Sequence, residues 1–418
     1  MITFSNEKQT ATQQLNEEKK IQMIITYWVR ILNIKLGWIH DFDKLVVNYA
    51  ENLFMLDTFC SSSKLLKPFF GHTNYVRSID YLTLDCGPLL CSGSEDKTVR
   101  VWDVENNKQI QVFNGHSRNV YCVKFSSYHY HNNRQNVICS SSQDSTIRFW
   151  NFKDNQQSQI LNGHANGVIG IEFSRFNGGR YLCSGSHDNT IRLWDVKTSK
   201  SLHVLNGHKD SVYCVDISPL QSNKGNGDNN ESNSIGVIGG RGYTICSGSW
   251  DTTIRIWDIE TAKQFIVFKG HEDWINSVKY VSSRSGIIGG ANTILSGSSD
   301  GSVRLWDIRS GQQIQIFNGH TSFVNAVEYS PLVVNNSDVG ISNVICSGST
   351  DNTIRFWDVR SNNNELYVIK GSNEKDAILC FKFLQFKKKE KKGEGNDSSD
   401  CNLSLCYGLQ NGHIRMWG

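Results

Sequence analysis

Histidine, serine and aspartate, the residue types of a hydrolytic triad, recur together along this chain of 418 residues. The segment with the serine and the aspartate reads LCSGSEDKTVRVWD at its first occurrence and ICSGSTDNTIRFWD at its sixth, which end at Asp103 and Asp358. A Gly-His pair precedes each of six such segments, with the histidines at His72, His116, His164, His208, His271 and His320. Triad chemistry would be the attack of an activated serine on an acyl group.

Triad chemistry does not suit a pattern that is repeated six times. Six equivalent copies would make six active sites, and none of the serines lies in the glycine pattern of a nucleophile elbow. The first serine of each segment also falls inside an apolar run that predicts a β-strand, whereas a nucleophile lies in a cleft. The repeated residues therefore favour a structural role, and we expect no catalytic residues, metal ligands or cofactor.

The residues between these positions predict strands. In the second copy, VYCVKF (120–125), VICS (137–140) and TIRFW (146–150) are short β-rich runs separated by turn residues, and SQIL follows before the next Gly-His. We therefore predict four antiparallel strands per unit. A seventh, degenerate copy, LCYGLQNGHIRMWG, ends at Gly418. Self-similarity at this period indicates a closed or stacked repeat architecture.

The spacings show where the units tolerate insertions. The serine precedes the tryptophan by ten residues in every intact copy, and the tryptophan precedes the next histidine by fourteen. The distance from histidine to tryptophan varies from 30 residues in the first copy to 49 in the fourth, and the excess falls between the first and second strands. We expect these insertions, including 219–242 and 385–400, to be solvated loops on one face. The run Lys387 to Lys392 is interpreted as such a loop tip, with a nuclear signal as the alternative.

The Gly-His and Trp-Asp pairs, with SGSxDxTIRxWD between them, resemble the WD-repeat family, the seven-bladed β-propellers typified by the G-protein β subunit. The resemblance covers residues 63–418 and implies an all-β fold. In that family the histidine, serine, turn aspartate and tryptophan of each blade form a hydrogen-bonded tetrad. The matching tetrads would be His72, Ser92, Asp96 and Trp102; His116, Ser140, Asp144 and Trp150; His164, Ser184, Asp188 and Trp194; His208, Ser247, Asp251 and Trp257; His271, Ser296, Asp300 and Trp306; His320, Ser347, Asp351 and Trp357. The seventh copy has Ser372, Tyr407 and Asn411 at three of these positions, so no tetrad is expected there.

The N-terminal region supplies two further predictions. The segment KLLKPFFGH before the first blade aligns with QQIQIFNGH, so it is predicted to add the missing outermost strand to the seventh blade and to close the ring. Apolar residues recur at helical spacing on both sides of Gly37, which predicts a short α-helical hairpin. The domains expected are a disordered N-terminus (1–14), the hairpin (15–60) and the seven-bladed propeller (63–418). The hairpin either packs on the main domain or serves in self-association or binding of a second partner.

Composition excludes several classes of protein. The net charge is +3 and lysine and arginine are scattered, so nucleic acid is not expected as a partner. No secretory signal is expected at the N-terminus, and 21–39 is too polar for a membrane span. Six cysteines fill one repeat position that Leu295 fills in the fifth copy, which indicates a small buried apolar residue. We expect a reducing compartment, cytoplasmic and/or nuclear.

Function is expected where the copies differ. Three variable positions per blade lie on the narrow face opposite the insertions: the two that flank the first apolar residue after Gly-His, and the one before the turn aspartate. The resemblance implies that such positions bind partner peptides, and large aromatic residues and arginine are common interface anchors. The predicted binding residues are Tyr75, Arg77, Glu95, Tyr121, His187, Tyr213, Trp250, Trp274 and Phe323. The alternative is that half of these side chains pack against neighbouring blades.

Two functions follow from these observations. The favoured one is a non-catalytic scaffold or adaptor that binds proteins or peptides on the narrow rim. The second is a propeller enzyme with acidic and histidine residues at the channel mouth, for which Glu95, His187, Glu272 and Asp273 are the candidates.

Overall fold

The structure is a computed structural model of the chain. It describes residues 59, 64–66, 68–84, 87–218, 243–281, 293–331, 344–359, 365–371, 376–386 and 402–418. The predicted disordered terminus (1–14), almost all of the predicted hairpin (15–60) and the lysine run at 387–392 lie outside these residues. Residues 219–242 and most of 385–400 also lie outside them.

Twenty-seven strands are formed in the described residues, and they group into seven antiparallel sheets in chain order. The first four sheets are blades 1 to 4. Their strands are β1 Val76–Leu84, β2 Gly87–Ser94, β3 Thr98–Asp103 and β4 Lys108–Asn114; β5 Val120–Phe125, β6 Val137–Ser142, β7 Thr146–Asn151 and β8 Gln156–Asn162; β9 Val168–Phe173, β10 Tyr181–Ser186, β11 Thr190–Asp195 and β12 Lys200–Asn206; β13 Val212–Ile217, β14 Thr244–Ser249, β15 Ile254–Asp258 and β16 Gln264–Phe268.

Blades 5 and 6 have four strands each and blade 7 has three. Their strands are β17 Ile275–Tyr280, β18 Thr293–Ser298, β19 Ser302–Asp307 and β20 Gln312–Asn318; β21 Val324–Tyr329, β22 Val344–Ser349, β23 Thr353–Asp358 and β24 Glu365–Lys370; β25 Ile378–Phe386, β26 Asn402–Leu409 and β27 Ile414–Trp417. The prediction of four strands per intact repeat is confirmed.

The seven sheets form a closed ring. The first strand of each blade lies against the first strands of both neighbouring blades, and β25 of blade 7 lies against β1 of blade 1. The core lies between neighbouring blades: Cys91, Val101 and Phe113 of blade 1 pack with Val120 and Trp150 of blade 2. The predicted seven-bladed, all-β propeller is therefore confirmed.

The cysteines at the repeated strand position are part of this core. Cys91, Cys139, Cys183, Cys246, Cys346 and Cys406 are fully buried, as is Leu295 at the same position of blade 5. Burial raises the pKa of the Cys91 and Cys139 thiols far above its ordinary value, so these side chains are held as neutral thiols. The nine cysteines within the described ranges are all free.

A β-bulge occurs near the start of each first strand. In blade 1, Val76 pairs with Ser94 and Ser78 pairs with Gly93, so Arg77 is the extra residue. The same shift makes Tyr121, Tyr213, Asn276, Asn325 and Leu379 the extra residues of blades 2, 4, 5, 6 and 7. In blade 3 the shift falls between Val168 and Ile171. Each bulge brings one side chain to the mouth of the central channel.

Two connections between first and second strands are described in full and contain helical segments. Helix α1 (Ser127–Asn133) in blade 2 begins after Ser126, whose hydroxyl accepts a hydrogen bond from the His129 amide, and it contacts the 3-10 helix Asn177–Gly179 of blade 3. Gly179 has φ 81°, and a Cβ there would lie 1.9 Å from Ser127 Oγ. No helix in the described parts of the chain is long and apolar enough to cross a membrane.

Residues 64–66 and 69 make backbone contacts with residues 414–418 of blade 7. Leu65 bridges Trp417 and Phe69 bridges Ile414, both antiparallel. The Leu66 amide donates to the Met416 carbonyl at 2.8 Å, and the Phe69 amide donates to the Ile414 carbonyl at 2.9 Å. These contacts are isolated bridges rather than a fourth strand of the sheet, so closure of blade 7 by the N-terminal segment stays a prediction.

Candidate functional site

The repeated histidine, serine, aspartate and tryptophan form one hydrogen-bonded chain in blade 1. The indole Nε1 of Trp102 lies 2.8 Å from Ser92 Oγ, which lies 2.7 Å from His72 Nε2. His72 Nδ1 lies 2.7 Å from Asp96 Oδ2. An indole N–H can only donate, so the serine hydroxyl accepts from Trp102. Burial lowers the pKa of His72, which favours a neutral ring. A neutral ring that donates from Nδ1 to the Asp96 carboxylate accepts the Ser92 hydroxyl proton at Nε2.

The same chain is present in blades 2 to 6. Histidine to serine distances are 2.7 or 2.8 Å and histidine to aspartate distances are 2.8 Å in all five. The six predicted tetrads are confirmed. Their serines are fully buried, and each serine hydroxyl is hydrogen-bonded to both the tryptophan and the histidine of its blade. The chain satisfies polar groups inside the blade, which is the structural role expected from the sequence.

Ionisation in the tetrads follows from their burial and hydrogen bonds. Burial lowers the pKa of His72, and the hydrogen bond to Asp96 offsets only part of this effect. Burial raises the pKa of Asp96, but the hydrogen bonds from His72 and Thr98 outweigh it and hold this pKa well below its ordinary value. In blade 1 the fold therefore favours a neutral His72 and an ionised Asp96.

Blade 7 lacks the tetrad, as predicted, at the positions that are described. Tyr407 replaces the serine and is buried. Its pKa is raised by burial, and hydrogen bonding to Trp417 offsets part of that rise. Ser372 lies outside the described residues.

The variable rim positions are held in place by a repeated backbone hydrogen bond. The residue before each turn aspartate donates its amide to the carbonyl of the first rim residue of its own blade, as from Trp250 to Ser211 at 3.0 Å and from Ser299 to Trp274 at 2.8 Å. In blade 7 this bond joins Gln410 to Ala377 at 3.1 Å. The sequence analysis did not include this seventh pair, although the repeat spacing of LCYGLQN was the signal that could have identified it.

Arg77 lies at the channel mouth and is held by its own blade. Its Nε donates to Glu95 Oε1 at 2.6 Å, and its guanidinium carbon lies 5.3 Å from the ring centroid of Tyr75. Burial lowers the pKa of Arg77, but the nearby Tyr213 hydroxyl and Glu95 carboxylate outweigh this and raise it. The Tyr75 hydroxyl accepts a hydrogen bond from Gln410 of blade 7.

Aromatic rings of blades 2 to 5 form a continuous series along the rim. Tyr121 packs edge to face on His187 at a centroid distance of 5.9 Å, and His187 packs edge to face on Trp250 at 5.4 Å. Trp250 is stacked between Tyr213, at 5.9 Å and 21°, and Trp274, at 4.4 Å and 16°. Offset stacking and edge-to-face contacts are the favourable geometries for aromatic pairs. We call these five residues the aromatic series.

Exposure distinguishes the members of the predicted binding set. Trp274 is 43% exposed and Phe323, on the next blade, is 47% exposed. The remaining seven predicted residues are partly buried by the contacts just described. Of the nine predicted binding residues, only Trp274 and Phe323 are therefore exposed, on blades 5 and 6, and the binding role of the set stays a prediction.

A belt of ionisable side chains occupies one position of the first strands: Asp80, Lys124, Glu172, Asp216, Lys279, Glu328 and Lys382. Five of them line the channel below the rim: Lys124, Glu172, Lys279, Glu328 and Lys382. Glu172 accepts from Lys124 at 2.6 Å and from Lys279, two blades away, at 3.3 Å, while Lys382 pairs with Glu328 at 2.8 Å. Burial raises the pKa of Glu172, but the two ammonium groups outweigh it and hold the pKa well below its ordinary value. The sequence analysis missed this belt, although all seven residues occupy one repeat position.

The channel between the rim and the belt contains a cavity of about 160 Å³. The side chains between the two levels are small, among them Ser78, Gly170 and Ala326. The belt pairs its own charges across this space. No group of three or more histidine, cysteine, aspartate or glutamate side chains is arranged to hold a metal ion in the described part of the chain.

The four candidate catalytic residues are not brought together. Glu95 is paired with Arg77, and His187 Nδ1 lies 3.0 Å from Ser211 Oγ between two aromatic rings. Asp273 Oδ1 accepts from the Trp274 amide at 2.7 Å, and Glu272 is exposed. Within the described ranges, no hydrogen bond or ion pair joins any two of these four side chains.

Comparison with known families identifies the repeat. The family model described as "WD domain, G-beta repeat" matches residues 63–103, 107–151, 155–195, 199–258, 262–307 and 311–358. These matches cover blades 1 to 6 and well over half of the chain. The chain belongs to the WD-repeat family.

Individual WD-repeat proteins resemble this chain over short segments. The "WD repeat-containing protein WDS homolog" of Arabidopsis thaliana is 32% identical over 128 residues, which is 30% of this chain and 24% of that protein. The "WD repeat and SOCS box-containing protein 1" of Danio rerio is 39% identical over 66 residues, 16% of this chain and 15% of that protein. The "General transcriptional corepressor TUP1" of Saccharomyces cerevisiae is 33% identical over 51 residues, 12% of this chain and 7% of that protein. The matched part of this chain thus spans a quarter or less of each relative.

Proposed function

We propose that this WD-repeat protein is a non-catalytic scaffold that binds a protein or peptide partner on the narrow rim of its propeller. The observation that carries the proposal is the aromatic series, which ends at the exposed Trp274 beside the exposed Phe323. The loops that bear these two rings are fixed by backbone hydrogen bonds, so little conformational freedom is lost when a partner binds. Exposed aromatic rings on a rigid frame are typical of interaction hot spots.

The comparisons support this proposal at a general level. A SOCS box-containing protein and a transcriptional corepressor are among the relatives, and both names denote regulatory proteins. The tetrads also favour a scaffold, because their serine, histidine and aspartate side chains are hydrogen-bonded to one another inside the blades. Location in the cytoplasm and/or nucleus, the closing strand at 64–69, and a second partner or self-association through residues 15–60 remain parts of the proposal.

The binding surface is tested with a charge-introducing double variant. Trp274→Glu with Phe323→Glu places two carboxylates on the exposed rings and should abolish recovery of the main partner by affinity purification from cells, at a cost of about 2 to 4 kcal/mol per hot-spot residue. The melting temperature should change by only a few degrees, because both side chains are about half exposed.

The matched control introduces the same charges on the outer edges of blades 4 and 5. Phe265→Glu with Ile314→Glu alters apolar side chains that are 68% and 51% exposed on β16 and β20. This control should keep its partners. Loss of partners in the control together with retention in the rim variant would assign binding to the outer edge of the disc instead.

Absence of catalysis is tested separately. Purified full-length protein should hydrolyse ester, phosphate and glycoside substrates no faster than a sample carrying Glu95→Gln and His187→Ala, with or without divalent metal ions. Turnover that these two substitutions remove would favour the enzyme alternative.

A further inference from the structure

The outer face of Trp274 continues a stack of parallel rings. Trp250 lies nearly parallel to Tyr213 and to Trp274 and stacks with both. Trp274 has Trp250 as its one stacked ring in the described residues and is 43% exposed. A planar group placed on the exposed part of its indole would extend the stack.

The charges beside this face are acidic. Trp274 follows Glu272 and Asp273 in the loop that leads into β17. Asp273 uses Oδ1 to accept from the Trp274 amide, and its other carboxylate oxygen accepts no hydrogen bond within the described ranges. Glu272 is exposed and pairs with no cation in that part of the chain. The corresponding loop of blade 6 carries no charge, and that of blade 4 carries one of each sign, Lys209 and Asp210.

The same face of the molecule already binds a guanidinium group in this way. Arg77 lies 5.3 Å from the Tyr75 ring centroid while its nitrogens pair with Glu95. Arg77 also occupies the channel mouth, beside the Tyr213 hydroxyl. The protein's own arginine therefore already uses the aromatic and acidic groups of blade 1, whereas Trp274 is an exposed aromatic ring that follows two acidic residues.

We propose that the outer face of Trp274 is a subsite for an arginine side chain of the bound partner. The guanidinium plane stacks on the indole, and its N–H groups pair with the carboxylates of Glu272 and Asp273. Arginine fits better than lysine because a planar, weakly hydrated cation both stacks on an aromatic face and pairs with a carboxylate in the same geometry. This inference rests on the proposed function, since it specifies the chemistry of the partner at the same rim.

The test uses N-acetyl-arginine amide as the probe and the full-length chain labelled with ¹⁵N-tryptophan. The indole resonance of Trp274 is assigned as the one lost in Trp274→Phe. We expect this resonance to shift in a saturable manner with the arginine probe, more weakly with N-acetyl-lysine amide, and not at all with N-acetyl-norleucine amide. Glu272→Gln with Asp273→Asn should weaken the arginine response by about two- to fivefold per carboxylate.

One control locates the effect. Glu260→Gln removes a charge from the turn between β15 and β16, at the end of the blade opposite the rim, and should leave the response unchanged. A Trp274 resonance that does not shift, or that shifts equally with all three probes, or that keeps its full response without the two carboxylates, overturns the subsite.

The outcome separates this inference from the proposed function. If Trp274→Glu with Phe323→Glu loses the partner while the arginine probe never shifts Trp274, the scaffold stands and the arginine subsite is wrong. If the probe binds but that double variant keeps its partners, the guanidinium site is real and the rim is not the partner-binding surface.

Discussion

The indole rings of Trp250 and Trp274 stack across the boundary between blades 4 and 5, with centroids 4.4 Å apart and planes 16° apart. The contact couples two neighbouring blades at the rim, outside the core clusters that join them below. Trp250 stacks with two rings, Tyr213 and Trp274, whereas Trp274 stacks with Trp250 alone among the described residues. The two residues should therefore contribute differently to stability and to binding.

Trp250→Ala is expected to lower the free energy of unfolding by about 2 kcal/mol, because it removes two ring contacts and leaves a gap between Tyr213 and Trp274. Trp274→Ala should cost less than about 1 kcal/mol, because nearly half of that side chain is in water. Chemical denaturation of both variants checks the difference. Equal losses would mean that the stack does not distinguish an inner ring from an outer one.

His164→Ala is expected to lower stability by about 1 to 3 kcal/mol, because it leaves the Ser184 hydroxyl without its acceptor and Asp188 without its main donor inside blade 3. Partner binding by the folded fraction should persist. His203→Ala, on the outer strand β12 of the same blade, is the control and should change the melting temperature little. An unchanged melting temperature for His164→Ala would contradict a structural role for the tetrad.

Acidification is expected to weaken the fold well before carboxylates begin to protonate. Burial lowers the pKa of His72, His116, His208 and His271 in the folded protein, so the unfolded chain binds protons more readily than the folded one. The stability that these residues contribute is complete above the unfolded pKa of about 6.5 and is lost as the pH falls through the lowered folded value. The pKa values of the tetrad aspartates are held well below the ordinary value in the folded protein. The stability that these aspartates contribute therefore begins to fall only below about pH 4. Melting temperatures at intervals between pH 7.5 and pH 5 should decline, and a constant value over this range would contradict neutral tetrad histidines.

Glu172→Gln is expected to destabilise the ring by about 2 to 4 kcal/mol, because Lys124 and Lys279 both lose their anionic partner in a setting where the ammonium groups are largely withdrawn from water. Glu365→Gln, which breaks the ion pair with Arg355 on the outer edge of blade 6, is the comparison and should cost less than about 1 kcal/mol. Thermal and chemical unfolding of the two variants measure the difference. If both changes cost the same, the belt contributes no more than a surface ion pair.

The tetrads could be predicted from the sequence because the serine and the aspartate lie at fixed spacings before the tryptophan of their own repeat, and each histidine after the first lies fourteen residues after the tryptophan of the preceding repeat. The pairing of Lys279 with Glu172 could not be predicted from the sequence, because the two residues are 107 positions apart and meet only when the ring has closed.

The exposure of the rim side chains could not be predicted from the repeat pattern either. Ile169 and Tyr213 occupy equivalent positions, yet Ile169 is 4% exposed and Tyr213 is half-buried within an aromatic stack built from blade 5 as well as blade 4. Contacts supplied by a neighbouring blade depend on residues that the local pattern does not contain.

Arg77 and the equivalent bulged residues of the other blades lie at the channel mouth but take no part in strand pairing. A bulged residue has no partner of its own in the ladder, so its side chain can be exchanged without altering the pairing of Val76 with Ser94 or of Ser78 with Gly93. The seven blades already carry arginine, tyrosine, asparagine, leucine and isoleucine at this level of the channel mouth. Binding specificity could therefore be changed by substituting the bulged residue of one blade at a time while the strand pairing of the other blades stays the same.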